Sequence, residues 1–162
     1  MTRNDESDAV RVYRRGLQVH RRLARLVDET FVRELEHTTT ELLVLRSAVL
    51  GYTSPSAIAR RLGLQAPTVA RCLATLQAGG LVTVDDDRHD RRRRIAQPTP
   101  AGFALDARAE GVIDATFAQH FPHADRGTLH RAAQALDALW GCIGSDEGYP
   151  DDPERPAAAA AT

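Results

Sequence analysis

Apolar residues recur three and four apart at Val10, Tyr13, Leu17, Ala24, Val27, Phe31 and Leu35, the spacing that keeps side chains on one face of an α-helix. The pattern predicts a helix from about Asp8 to Leu35. Val12, Val19, Leu23 and Leu26 widen its apolar face, while Arg11, Arg15, Arg22 and Arg25 lie on another side. So broad a face on so long a helix packs against more than one neighbour. In a small chain a second subunit is the natural candidate.

Punctuation residues divide the chain beyond Leu35. Thr38 with Glu41 fits a capping box and opens a short helix carrying Leu42, Leu45 and Val49, which Gly51 stops. Ser54-Pro55 offers an N-cap oxygen and a proline in the first turn, so Pro55 to Leu62 is a third helix, ended by Gly63 and burying Ile58 and Leu62. Ala66 to Ala78 is a fourth, with Val69, Leu73 and Leu76 inward and Gly79-Gly80 behind it. Two short helices joined by a tight Gly-containing turn make a helix-turn-helix.

Leu81 to Val84 alternates as a short strand, and Arg94 to Gln97 returns as its antiparallel partner. Between them, Asp85 to Arg93 is an entirely charged loop, so the pair forms a wing. Pro98 has no N–H to donate, which predicts that the second strand ends early. Thr99-Pro100 repeats the N-cap and proline signature and starts a helix to about Ala118, with Phe103, Leu105, Ala109, Val112, Ile113 and Phe117 available for burial. Asp125 to Ile143 is a last helix with the stripe Leu129, Ala133, Leu136, Leu139, Trp140 and Ile143.

The fold class is therefore mainly α (α+β), a winged helix-turn-helix between long N- and C-terminal helices. The boundaries are a single unit over residues 1–145, with dimerisation helices at 8–36 and 100–143, the winged helix-turn-helix at 38–99, and a disordered acidic, Ala-rich tail at 144–162.

Composition adds limits. The chain has 162 residues, 43% hydrophobic and 27% charged, enough for one core without disulfides or metal. No apolar run suffices for a membrane span, and the polar, acidic start from Met1 to Asp8 lacks the apolar stretch of a secretory signal. A cytoplasmic protein is expected, with Cys72 and Cys142 kept as thiols. The net charge of -1 hides an uneven distribution. From Ser54 to Pro98 eight arginines face four aspartates, +4, leaving -5 for the rest. A local basic excess suits a phosphate backbone. With no Gly-rich phosphate loop, nucleophile elbow or HExxH motif, an enzyme is not expected, nor is any cofactor.

The middle of the chain resembles the MarR (multiple antibiotic resistance regulator) family of winged helix-turn-helix transcription regulators. The likeness rests on Thr38-x-x-Glu41-x-x-x-Leu45, the run Ser54 to Leu64, Pro67-Thr68-Val69-Ala70-Arg71-x-Leu73-x-x-Leu76-x-x-Gly79-Gly80-Leu81-Val82, Asp90-Arg91-Arg92 and Thr99-Pro100-x-Gly102, an ordered series over about 65 residues. It implies a homodimer on a palindromic operator in double-stranded DNA, acting as a repressor relieved by a small phenolic or other lipophilic effector. The effector would shift the spacing of the two recognition helices.

In such a motif the second helix presents its N-terminal residues to base edges in the major groove. Here these are Gln65, Pro67 and Thr68, with Arg71 one turn on. Gln65 suits adenine, Thr68 a thymine methyl or a phosphate, and Arg71 guanine or a phosphate. The bland alternative for Thr68 and Arg71 is a solvated helix face. The resemblance assigns Arg92 to the minor groove with Asp90 orienting it, and a narrow minor groove does attract inserted Arg. Arg91 and Arg93 suit phosphates; the alternative is a charge run that keeps the loop solvated.

Tyr13, His20, Arg46 and Trp140 are conceivable effector-pocket walls, each more often a packing or surface residue, so the effector site stays unassigned. Cys72 beside Arg71 offers a redox alternative, against the plainer reading of a small packed residue. His120, His123 and Asp125 lie close together, but without a fourth ligand at fixed spacing surface residues are the better expectation, and no metal is assigned. The remaining rival is a winged-helix protein-interaction module that does not bind DNA.

Overall fold

The computed structural model describes residues 7–86 and 94–146, with 143–146 described by their backbone alone. Among these residues six helices and one two-stranded sheet occur in the order α1 (Asp8–Leu35), α2 (Thr39–Val49), α3 (Pro55–Leu62), α4 (Ala66–Ala78), β1 (Val82–Asp86), β2 (Arg94–Pro98), α5 (Pro100–His120) and α6 (Arg126–Asp146).

Helix starts are set by local chemistry. The Thr38 hydroxyl accepts from the Glu41 backbone N–H at 3.3 Å while the Glu41 carboxylate accepts from the Thr38 N–H at 2.9 Å, a complete capping box. Ser54 caps α3 through the Ala57 N–H at 3.1 Å, and Thr99 caps α5 through the Gly102 N–H at 3.1 Å. Gly63 closes α3 with φ 62°, a left-handed conformation that a Cβ disfavours.

Burial draws the Glu41 carboxyl upward, but the Thr38 N–H and hydroxyl and the His37 imidazole outweigh it and hold the group below its usual range. A carboxyl depressed in the folded state stabilises above its unfolded pKa, and that stability disappears as pH falls through the folded value. Glu41→Gln is therefore expected to lower stability at pH 7 by about 1 kcal/mol. The gap between the variant and the parent should close on acidification in parallel urea titrations. A gap that stayed constant as the pH fell through the whole carboxylate range would deny the carboxylate its role.

The core lies where α2, α3, α4 and the wing meet the ends of α1 and α5. Val44, Leu45, Ala57, Ile58, Val69, Leu76 and Ala96 are completely or almost completely buried. The wing is tied in by the Ala96 N–H, which donates to the Thr53 carbonyl at 2.7 Å. Across α2 and α5, Arg46 bridges Asp106 at 2.7 Å and Glu110 at 2.9 Å. Asp106 is buried, so the guanidinium balances a charge removed from water.

Several expectations are corrected. The strands pair from Val82 with Pro98 to Asp86 with Arg94. Asp85 and Asp86 thus belong to β1 rather than to the loop, and β2 does not end before Pro98. A proline at the last position of an edge strand removes no ladder bond that the sheet needs. In α5, Phe103 and Ile113 are exposed. Leu105 and Ala109 are buried as expected and Val112 and Phe117 half-buried, and they are joined on that side by Asp106 and Thr116, because α1 and α2 meet that face. The last helix reaches Asp146, into the segment assigned to the tail; residues 147–162 lie outside the described residues.

Two helical regions have little packing within the chain. Along α1 only Thr30, Phe31 and Leu35, at its C-terminal end, are buried. Every side chain of α6 from Arg126 to Cys142 is exposed, including Leu129, Leu136, Leu139 and Trp140.

Candidate nucleic-acid interface

Helix α4 is anchored by Val69, Cys72, Leu73 and Leu76, which face the core. That fixes its opposite side toward solvent. Gln65, Pro67 and Arg71 are exposed and Thr68 is half-buried, so the four sequence-predicted residues of this helix share one outward end.

The N-terminus of α4 differs from those of α2, α3 and α5. Gln65 occupies the N-cap position in extended conformation (φ -73°, ψ 139°) with no side-chain cap bond, and proline stands in the first turn. Backbone donors at such an end carry the positive pole of the helix outward.

An open cleft of about 450 Å³ separates α4 from the wing. Ala66, Ala70 and Ala74 of α4 give it a shallow floor, Ser54 and Ser56 stand at the α3 end, and Val84 and Arg94 close the wing side. Arg94 belongs to the basic excess, but nothing in the sequence distinguishes it from its neighbours; its pairing opposite Asp86, at the root of the wing, places it beside α4. The wing-tip residues Asp90, Arg91, Arg92 and Arg93 lie outside the described residues.

Not every arginine of the basic excess is available to an outside partner. Arg61 stacks over Tyr52 with its guanidinium carbon 4.5 Å from the ring centre, and Tyr52 is buried. Arg46, a conceivable effector-pocket wall, is engaged by Asp106 and Glu110.

Cys72 is buried, and burial is the chief cause that raises its thiol pKa; Glu41 adds to the rise and Arg71 opposes it. A thiol so placed is a poor nucleophile. Asp125 accepts from the Thr128 N–H at 2.6 Å, which makes it a helix cap, and the Thr128 hydroxyl together with that N–H lowers its pKa. No group of three metal-ligating side chains occurs among the described residues. None of the described helices is long and apolar enough to cross a membrane.

The MarR family model matches residues 38–93. No protein of curated function matches the sequence. Among solved structures, the transcriptional regulator BldR from Sulfolobus solfataricus superposes with a TM-score of 0.74 at 16% identity, covering 87% of this chain and 99% of that one. A MarR-family transcriptional regulator from Rhodococcus sp. RHA1 gives 0.72 at 18% identity over 83% and 95%. Bordetella bronchiseptica BpsR gives 0.64 at 19% identity over 86% and 96%. The matched segment runs from the start of α2 through β1 and stops just before β2, and the superposed fold extends over the helices on both sides. Residues 38–93 thus match the MarR family, and the chain around them shares the winged-helix fold of these solved transcription regulators.

Proposed function

We propose that this protein is a cytoplasmic, homodimeric, sequence-specific DNA-binding regulator, acting as a repressor released by a small phenolic or other lipophilic effector. The observation that carries the reading is the outward end of α4, where Gln65, Pro67, Thr68 and Arg71 stand together beside the cleft that Arg94 borders. Gln65 and Arg71 supply groups for adenine and guanine edges, and Thr68 with the uncapped helix end suits a phosphate. Arg92, oriented by Asp90, enters the minor groove, and Arg91 and Arg93 hold phosphates.

One compact unit over residues 1–145 carries these parts, with helices 8–36 and 100–143 pairing two copies on a palindrome and 144–162 as a tail. Pairing doubles the read sequence and suits the exposed apolar faces of α1 and α6. The effector part of the proposal draws on BpsR, whose DNA binding is regulated by 6-hydroxynicotinic acid. An effector that prefers one spacing of the two recognition helices shifts the dimer toward it.

The test is a gel-shift titration with DNA from upstream of the protein's own gene at two salt concentrations. Arg71→Ala and Arg92→Ala are each expected to weaken retardation about 5–100-fold. Addition of phenolic candidates then screens for release. A folded dimer that retards no such DNA above a random duplex would leave the winged helix as a protein-interaction module.

A further inference from the structure

Six arginines of α1 form a continuous face. Arg11, Arg14, Arg15, Arg21, Arg22 and Arg25, with Gln18 at the centre, step by three and four along the helix. At about 100° per residue they occupy about a third of its circumference and some 21 Å of its length. All seven side chains are exposed. They line two open clefts that share Gln18, one of about 140 Å³ among Arg11, Arg14 and Arg15, the other of about 510 Å³ among Arg21, Arg22 and Arg25.

We propose that this arginine face is a second phosphate-binding surface, separate from the winged helix, that takes the backbone of a DNA duplex and lets one dimer hold two duplex segments. The surface itself needs no operator; only the count of two duplexes rests on the proposed DNA-binding role of the winged helix.

Position separates the two surfaces. The part of α1 buried against the core is its C-terminal end, at Thr30, Phe31 and Leu35. Arg11 stands about 30 Å up the helix axis from Phe31. The main partners of α4 are α2, α3 and β1. A duplex lying on α4 therefore leaves the arginine face open.

Charge and shape favour a nucleic-acid backbone. From residue 8 to residue 29 six arginines stand against three carboxylates, Asp8, which pairs with Arg11, and Asp28 and Glu29 one turn beyond Arg25, so the face keeps a net positive charge. The face is long, straight and unwalled, unlike a site for a small anion. Duplex DNA presents one charge per about 1.7 Å, so some 21 Å of it carries about twelve phosphates, half of them enough to match the arginines. Guanidinium forks suit phosphate oxygens. A lipid surface would also have to receive the apolar side of α1, with Val10, Tyr13, Leu17 and Val19. That side flanks and opposes the arginines and is the side open to a second subunit.

The test uses full-length protein and 30-bp duplexes of random sequence, one fixed to beads and one fluorescent. Wild type is expected to carry the fluorescent duplex onto the beads. The variant Arg21→Gln/Arg22→Gln/Arg25→Gln, whose glutamines keep helix propensity, should lose this capture at least ~10-fold and reduce the salt slope of log K by about 2–3, near 0.9 per lost phosphate. Gln65→Ala/Arg71→Ala, altered on α4, should still bind the random duplex. Capture undiminished in the α1 variant overturns the proposal. So does loss of binding to phosphatidylserine vesicles with duplex binding unchanged, which would assign the face to lipid. A third overturning result is duplex binding at the face only after truncation behind Asp146, which would assign it to the chain's own acidic end. Failure of operator retardation with α1-dependent binding of a single random duplex intact would sink the winged-helix reading alone.

Discussion

Gly102→Ala is expected to destabilise the protein by about 3 kcal/mol or more, lowering the thermal midpoint by roughly 6–12 °C. A Cβ at this position would lie 2.1 Å from the Leu81 carbonyl oxygen and 3.3 Å from a Leu45 methyl. The first of these is backbone, so no side-chain rotation relieves it. Leu81 is also held from two directions: its carbonyl accepts from the Thr99 N–H at 3.0 Å, and its own N–H donates to the Leu76 carbonyl at 2.9 Å. The Thr99 hydroxyl reaches the Gly80 carbonyl at 2.7 Å. The start of α5 is thus pressed onto the junction of α4 and β1, and a methyl group would force the two apart. Gly111 provides the control. It lies in the same helix, and a Cβ there meets nothing within 4 Å, so Gly111→Ala should be neutral or stabilising by up to about 1 kcal/mol. Calorimetry on both variants decides the matter, since equal midpoints would mean that the close approach does not exist.

That contact also explains a motif. Thr99-Pro100-x-Gly102 is legible in the sequence as a helix start because its cap is local, as are those at Thr38 and Ser54, and all three helices begin where these residues place them. The reason for the glycine is not legible, because Leu81 is 21 positions away in the chain. The same division runs through the rest of the fold. The bond of Arg46 to Asp106 joins residues 60 apart, and no periodicity in either helix announces it. The ends of the wing strands depend on pairing register, so Asp85 and Asp86 look like loop until Ile95 and Arg94 are set opposite them. In the candidate interface the outward end of α4 is readable, since Val69, Leu73 and Leu76 fix the inward side. Arg94 beside the cleft and Arg61 over Tyr52 are not, because only packing separates an arginine that faces outward from one held against the core.

The second large effect is expected from Leu136→Glu in α6, which should weaken dimerisation roughly 100-fold or more. From Arg126 to Cys142 the amphipathic helix α6 has no buried side chain: Leu129, Leu136, Leu139 and Trp140 share a side, and all are exposed. The N-terminal half of α1 is exposed as well, with Tyr13 at 70% and Val19 at 55%. Contiguous apolar faces of this kind mark protein contacts. Burying one leucine is worth roughly 1.5–3 kcal/mol, and a two-fold interface counts each change twice. A factor of ten in affinity corresponds to about 1.4 kcal/mol, so one substitution per chain carries the predicted loss. Glutamate retains helix propensity, and Leu136 lies outside the core cluster, so circular dichroism should report unchanged helicity and the monomer should keep its winged helix. Sedimentation velocity at micromolar concentration then reads the mass: a monomer is expected for Leu136→Glu and a dimer for the parent. An unchanged dimer would move the interface away from α6. Loss of pairing should also abolish tight operator binding while leaving weak, salt-sensitive binding of one half-site, because each recognition helix reads only a few base pairs and its affinity for the palindrome comes from being linked to a second copy.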